Sequence, residues 1–225
     1  MSQDPVFVRQ AFSSIAKRYV LTNHVLSMGV DILWRRKVAN IVRDFGAQHI
    51  LDLACGSGDL AAEIIKKMPH AEVVAADFCA PMLQQARNRG LPMLLVADGM
   101  KLPFAERAFD ALTVGYGLRN METWHGALSE MSRVLTDQGH LVILDFSIPE
   151  GWMKAPYRFY LHRILPTVGG WLTGNKQAYD YLSESIERFP SGEMMCDLMK
   201  ENGFVEARCY PLWGGISSIY VGKKG

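Results

Sequence analysis

Long hydrophobic runs are missing from this chain, and no apolar stretch approaches the ~18 residues that a bilayer-spanning helix needs. The opening Met1-Ser2-Gln3-Asp4-Pro5 also lacks the basic-then-apolar order of a secretory leader. A cytoplasmic protein is expected, with any membrane contact peripheral. Paired cysteines are absent too: Cys55, Cys79, Cys196 and Cys209 are widely separated and form no C-x-x-C unit, which speaks against a disulfide framework or a zinc site. No charge of one sign dominates, and a formal net charge of +1 gives no general pull toward nucleic acid. Locally, Arg9, Lys17, Arg18, Arg35, Arg36 and Lys37 face only Asp4 and Asp31 in the first 37 residues, so the surface field should be patchy. Internal repeats and low-complexity segments are likewise missing.

What is present is material for one α/β core with elaborations, at 225 residues and 49% hydrophobic. Its centre is the stretch from Gln48 to Asp77. The apolar run His49-Ile50-Leu51-Asp52-Leu53 enters the turn Ala54-Cys55-Gly56-Ser57-Gly58-Asp59, a helical segment follows to Pro69, and Glu72-Val73-Val74-Ala75-Ala76-Asp77 returns as a second strand. That order describes a βαβ nucleotide-binding unit. Gly56 and Gly58 allow a sharp turn and a close approach to a ligand, because neither carries a Cβ and both tolerate positive φ. The N–H groups at the helix start favour polar or anionic ligand groups. Asp77 lies nineteen positions after Gly58, where such folds place an acid to accept from ribose hydroxyls.

Before this unit, Phe7, Ala11, Ile15 and Tyr19 recur on one face of an expected helix over 6–19, and Asp31 is placed to N-cap a second helix from Ile32 to about Phe45. After it, the pattern predicts a helix entered at Pro81 and stopped at Gly90, a strand Met93–Ala97 ended by Asp98, a strand Phe109–Val114, a helix Glu122–Leu135 and a strand His140–Leu144. Strand rhythm then stops. Residues 150–190, rich in Trp152, Tyr157, Phe159, Arg163, Trp171, Tyr179 and Tyr181, read as a helical insertion over the active-site edge. A helix capped by Ser191 and ending near Gly203 follows, then strands Phe204–Tyr210 and Ser217–Val221 as a closing antiparallel pair. The expected fold is therefore α/β: a Rossmann-like, doubly wound, seven-stranded, mostly parallel sheet. Its expected organisation is a helical lid over 1–46, a cofactor-binding core over 47–149 and 190–225, and an insertion over 150–189.

Two cofactor classes share the opening motif. Gly56-x-Gly58-x-x-Ala61 is compatible with a nicotinamide dinucleotide. Asp52 inside the first strand, Asp98 after the third and Leu102-Pro103-Phe104 before the fourth point elsewhere. With these features the chain resembles class I S-adenosylmethionine-dependent methyltransferases. The resemblance implies that Asp52 to Gly58 hold the methionine part of S-adenosyl-L-methionine, that Asp77 binds its ribose, and that Asp98 and Gly99 lie beside its adenine. A carboxylate there can accept from the adenine amino group, and Gly99 leaves room for the ring.

Six further blocks narrow the resemblance: Phe12-x-x-Ile15-Ala16-x-Arg18-Tyr19, Asn23-x-x-Leu26-Ser27-x-Gly29, Trp34-Arg35-Arg36, Gly117-Leu118-Arg119-Asn120, Asp145-Phe146-Ser147 and Tyr179-x-Tyr181-Leu182-x-x-Ser185-Ile186. Together they are similar to the demethylmenaquinone and ubiquinone-biosynthesis C-methyltransferase family, and the likeness covers nearly the whole chain. It implies methyl transfer to a ring carbon of a polyprenylated quinol. Ser57 keeps the hydroxyl of the family's commoner threonine, Gly115 stands where the family has a serine on the cofactor side, and Val20 stands where it has an acid.

Such a reaction needs alignment of donor and acceptor and stabilisation of a developing phenolate. Arg119 is the candidate cation, since guanidinium stays charged; Asn120 is the candidate for orienting the same oxygen, and Tyr19 a lid residue. In the insertion, Trp152, Met153, Phe159, Leu161, Ile164, Leu165 and Trp171 offer apolar area, and Lys154, Arg158, Arg163 and Lys176 offer charge for anionic headgroups. Expected partners are thus the quinol, a membrane surface, and a second copy or a quinone-biosynthesis complex, without nucleic acid. The alternatives are another small-molecule methyltransferase, a nicotinamide-dependent oxidoreductase, a cofactor-binding scaffold without turnover, or an RNA methyltransferase.

Overall fold

The computed structural model describes residues 29–173 and 176–225. The expected helix over 6–19, Tyr19 and Val20 lie outside the described residues. In chain order the core elements are α1 (Val30–Asp44), β1 (His49–Leu53), α2 (Asp59–Lys67), β2 (Glu72–Asp77), α3 (Ala80–Asn88), β3 (Met93–Val96), β4 (Phe109–Gly115), α4 (Trp124–Val134) and β5 (Leu135–Phe146). The insertion follows as α5 (Lys154–Phe159), a π-helical turn (Tyr160–Ile164), α6 (Leu165–Thr173) and α7 (Lys176–Arg188). The chain closes with α8 (Glu193–Glu201), β6 (Phe204–Leu212) and β7 (Ser217–Lys224).

The strands form one seven-stranded sheet in the order β3-β2-β1-β4-β5-β7-β6. β1 pairs in parallel with β2 and β4, whereas β7 runs antiparallel to both β5 and β6. Strand order reverses between β1 and β4, so the loops after these strands diverge to opposite faces and open a crevice at their carboxyl ends. Alternation along β1 supplies both faces of the core. Ile50 packs with Val38 and Val42 of α1 and Ile64 of α2, while Leu51 and Leu53 pack with Leu128 and Met131 of α4 and Met199 of α8. Because helices cover both faces, β1 and β4 are apolar almost throughout, and Asp52 and Thr113 stand out as polar residues in their interior.

Several expectations shift by a few residues, and two helix caps are corrected. Asp31 does not cap α1: Gly29 precedes the helix at φ 76°, and Asp31 lies buried in the first turn, accepting from Arg35 Nη1 at 2.5 Å. A partner four residues on lies on the same helix face, and it takes the carboxylate away from the cap. Ser191 does not cap α8 either, since Gly192 occupies that position and no side chain caps the helix. Asp98 lies beyond the end of β3, in a turn where its Oδ1 accepts from the Met100 N–H at 2.9 Å.

The insertion has its own small core of Tyr157, Leu161, Leu165, Tyr179 and Ile186, against Phe146 and Ile148 of the sheet end. Leu161 and Leu165 thus face inward, contrary to the expected apolar outer surface. The buried positions 157, 161, 165 and 169 are four apart. On a 3.6-residue helix that spacing drifts by ~40° per step. The wider π turn at Tyr160–Ile164 offsets the drift and keeps the stripe on one line. α7 crosses α6 closely at Gly169, where a Cβ would come within 2.6 Å of the Tyr179 ring. The Ser183 hydroxyl lies 2.5 Å from the Leu161 carbonyl and 3.0 Å from that of Tyr179, tying α7 to the π turn.

Candidate active site

The crevice between β1 and β4 is a cleft open to solvent, with about 1140 Å³ of empty volume. Asp52, Gly56, Ser57, Asp77, Asp98, Gly99, Gly115 and Asn120 line it, as do Arg35, Tyr116, Gly117 and Met121. Two non-glycine residues at the strand ends are left-handed, Ala54 at φ 54° and Tyr116 at φ 59°. Such backbone costs on the order of 1–3 kcal/mol per residue and is held only where the surroundings over-determine it. Here the surroundings are each other: a Cβ on Gly117 would lie 2.4 Å from the Ala54 Cβ. The turn after β4 therefore rests directly on the turn after β1.

Asp77 links the βαβ unit. Its Oδ2 accepts from the Gly56 N–H and its Oδ1 from the Cys79 N–H, both at 2.8 Å. Burial raises its pKa against these two bonds. Each carboxylate oxygen retains a further lone pair for a ligand hydroxyl. Gly56 and Gly58 are left-handed at φ 57° and 78°, and a Cβ on Gly58 would approach Leu91 to 2.9 Å. The second glycine thus serves packing of the turn against the segment after α3.

Asp52 is fully buried, and its Oδ1 accepts from the Thr113 hydroxyl at 2.6 Å. Its Oδ2 is buried without a hydrogen bond. Burial pushes the carboxyl up to about 7, against the lowering effects of Thr113, the nearby Ala61 backbone N–H and Arg35. An orphaned, buried acceptor on the wall of the cleft is what a ligand amino group would satisfy. The Ser57 hydroxyl lies 2.5 Å from Asp59 Oδ2, and Asp59 also accepts from Arg89. A Cβ on Gly99 would meet the Met121 sulfur at 3.1 Å, so the glycine makes room for Met121 in the cleft wall. A Cβ on Gly115 would meet Leu60 at 3.3 Å, so the glycine lets α2 approach the end of β4.

The structure separates Arg119 from Asn120. Arg119 is not a residue of the cleft wall. It is 3% exposed, and its Nη1 donates to Asp145 Oδ1 at 2.7 Å and to the Tyr116 carbonyl at 2.5 Å. Its guanidinium therefore holds the Gly117–Asn120 turn against β5 from behind. Among the described residues the cation that lines the cleft is Arg35, which sequence reasoning did not assign to the site. It is held by Asp31 and lies 5.9 Å from the Tyr116 ring centroid. A signal for it exists in the sequence: Asp31 and Arg35 form an i,i+4 charged pair inside the apolar stripe Trp34, Val38 and Val42.

A doubly wound sheet with an acid-lined cleft at its switch point, a left-handed glycine turn and an orphaned buried carboxylate defines a class I methyltransferase architecture. A solved SAM-dependent methyltransferase from Thermotoga maritima, described as a possible histamine N-methyltransferase, shares the fold with a TM-score of 0.70 at 17% identity, covering 96% of this chain and 99% of that one. The chain belongs to the ubiE/COQ5 methyltransferase family, whose model matches residues 1–224. Similar relatives include a demethylmenaquinone methyltransferase of Thermus thermophilus, 44% identical over 95% of this chain and 99% of that protein. Another is a ubiquinone/menaquinone biosynthesis C-methyltransferase of Bdellovibrio bacteriovorus, 40% identical over 98% and 97%. Family membership decides between the two cofactor classes left open by Gly56-x-Gly58-x-x-Ala61, and the cofactor is S-adenosyl-L-methionine.

The buried Asp52 sets a pH dependence. An unfolded chain releases this proton near pH ~4, whereas the folded protein keeps it to about pH 7. The folded state binds more protons in that window, so Asp52 makes the ligand-free protein lose stability as pH rises through it. Asp52→Asn removes this share of the slope. Denaturant midpoints measured from pH 4 to 7 should fall more steeply for wild type than for the variant; parallel curves would contradict the assignment.

Proposed function

We propose that the protein methylates a ring carbon of a polyprenylated demethylquinol, with demethylmenaquinol as the acceptor. The observation that carries this reading is near-full-length similarity to proteins named for that chemistry, joined to a cleft whose residues suit the cofactor. The orphaned Asp52 oxygen suits an amino group, and Asp77 suits ribose hydroxyls. Asp98, exposed in its turn at the rim, suits the adenine amino group.

When bound, S-adenosyl-L-methionine supplies a methyl group already activated on a sulfonium. The chain's own residues have to align the acceptor and favour its oxyanion. A quinol hydroxyl has a phenol-like pKa near ~10, and its ionised form makes the ring carbon a better nucleophile. Arg35 is the permanent cation that lowers the cost of that negative charge in the cleft. Asn120 also lines the cleft, and Arg119 keeps the Asn120 turn in place through Asp145. Alignment at reactive distance is worth several kcal/mol, on the order of 7–11 in the best intramolecular cases.

The test is transfer from methyl-labelled cofactor to reduced demethylmenaquinone, followed by locating the label. Wild type should place it on a ring carbon, and Arg35→Met should lower turnover about 100–1,000-fold, the scale of a lost electrostatic stabiliser. Label on oxygen, or none on the quinol, would contradict the reading.

The insertion gives this substrate a surface to arrive from. Among the described residues no helix is long and apolar enough to cross a membrane. On the side of α5 and α6 away from the insertion core, Phe159, Ile164, Val168 and Trp171 are exposed, the last to 85%, and Trp152 just before α5 to 84%. Lys154 and Arg163 are exposed among them, while Arg158 is paired with Glu187. An apolar face with aromatic tips and basic neighbours fits the boundary of an anionic bilayer. Wild type should float with vesicles containing anionic lipid, and Trp152→Ser with Trp171→Ser should reduce the bound fraction several-fold. Equal flotation of both proteins would exclude this face as the contact.

A further inference from the structure

The insertion touches the cleft through one described hydrogen bond: the Tyr181 hydroxyl of α7 donates to Asn120 Oδ1 at 3.1 Å. We propose that Tyr181 is a positioning residue that locks the Asn120 side chain and so couples seating of the insertion to the acceptor side of the cleft. The inference rests on the methyltransferase reading above and deepens it.

Three observations carry it. First, the Asn120 amide has a determined orientation. Its Nδ2 donates to the Tyr116 carbonyl at 3.2 Å, and a carbonyl only accepts, so Oδ1 must point the other way, to Tyr181. Second, the other end of the bond is anchored independently. α7 is tied to the π turn by Ser183 and packs through buried Tyr179 and Ile186, on a different side from half-buried Tyr181. Holding α7 in place therefore does not require the Tyr181 hydroxyl. Third, the Tyr116 carbonyl also receives Arg119, whose guanidinium is paired with Asp145. A path of direct contacts thus runs from the insertion through Tyr181 and Asn120 to the left-handed Tyr116, the residue whose ring lies under Arg35. Burial raises the Tyr181 hydroxyl above its ordinary value, which keeps it a donor across the working pH range.

A structural tyrosine would lose stability when cut to phenylalanine and leave turnover per folded molecule alone. A positioning residue separates the two. In Tyr181→Phe, kcat for the reduced demethylquinone should fall about three- to tenfold, the scale of one lost hydrogen bond. Affinity for S-adenosylhomocysteine should change less than about twofold, as a loss confined to the acceptor side requires. In an Asn120→Ala background the same substitution should have no further effect, because the pair acts as a unit. Independently of any activity, hydrogen exchange of the 116–121 segment should quicken in Tyr181→Phe while that of 49–53 stays unchanged.

Unchanged kcat, an equal loss of cofactor affinity, additive effects in the double variant or unchanged exchange at 116–121 would each overturn the proposal. If exchange at 49–53 also quickens, Asn120→Ala decides from the other end of the bond: exchange in 176–188 should rise there, and no rise overturns the coupling. If wild type methylates no quinol, the acceptor assignment fails, and the exchange results still decide the role of Tyr181.

Discussion

The site depends on the contact between two turns, one after β1 and one after β4. Gly117 lies against Ala54 with no space for a side chain between them, and the residues at the contact, Ala54 and Tyr116, are both left-handed. Neither turn would keep that backbone alone. Their mutual support defines the width of the crevice, and it fixes where Asp52 and Asp77 on one side stand relative to Asn120 on the other. The strain is offset by the core below, where both faces of β1 and β4 are packed by helices.

From this contact follows a division of labour. The β1 side carries the groups suited to the cofactor: within the βαβ unit Asp77 accepts from the amide of Gly56 and, just beyond it, from that of Cys79, while Asp52 reaches across to Thr113 on β4. The β4 side carries the groups suited to the acceptor, and these are tied to elements outside that unit. Arg119 reaches Asp145 on β5, Asn120 reaches Tyr181 on the insertion, and Tyr116 lies under Arg35 from α1.

Much of this was legible in the sequence because periodicity and glycine placement are local. β1, β2 and the turn between them fall where the apolar runs and Gly56 and Gly58 put them, and the two closing strands do so within a few residues. Contacts made across the fold were less accessible. Arg119 and Asn120 are adjacent in sequence, yet one faces β5 and the other the cleft, a difference set by the 3-10 turn Leu118–Asn120 and the buried Asp145. Arg35 looked like one member of a basic cluster because its acid, Asp31, was read as a helix cap. The inward placement of Leu161 and Leu165 goes with the π turn at Tyr160–Ile164, which no local pattern in the sequence announces.

If the two strand ends hold different substrates, titrating S-adenosylhomocysteine calorimetrically into wild type, Asp77→Ala and Asn120→Ala should separate them. Binding to wild type and to Asn120→Ala should lie within about twofold of each other, with loss of at least about tenfold, ~1.4 kcal/mol, in Asp77→Ala. Equal weakening in both variants would contradict that division.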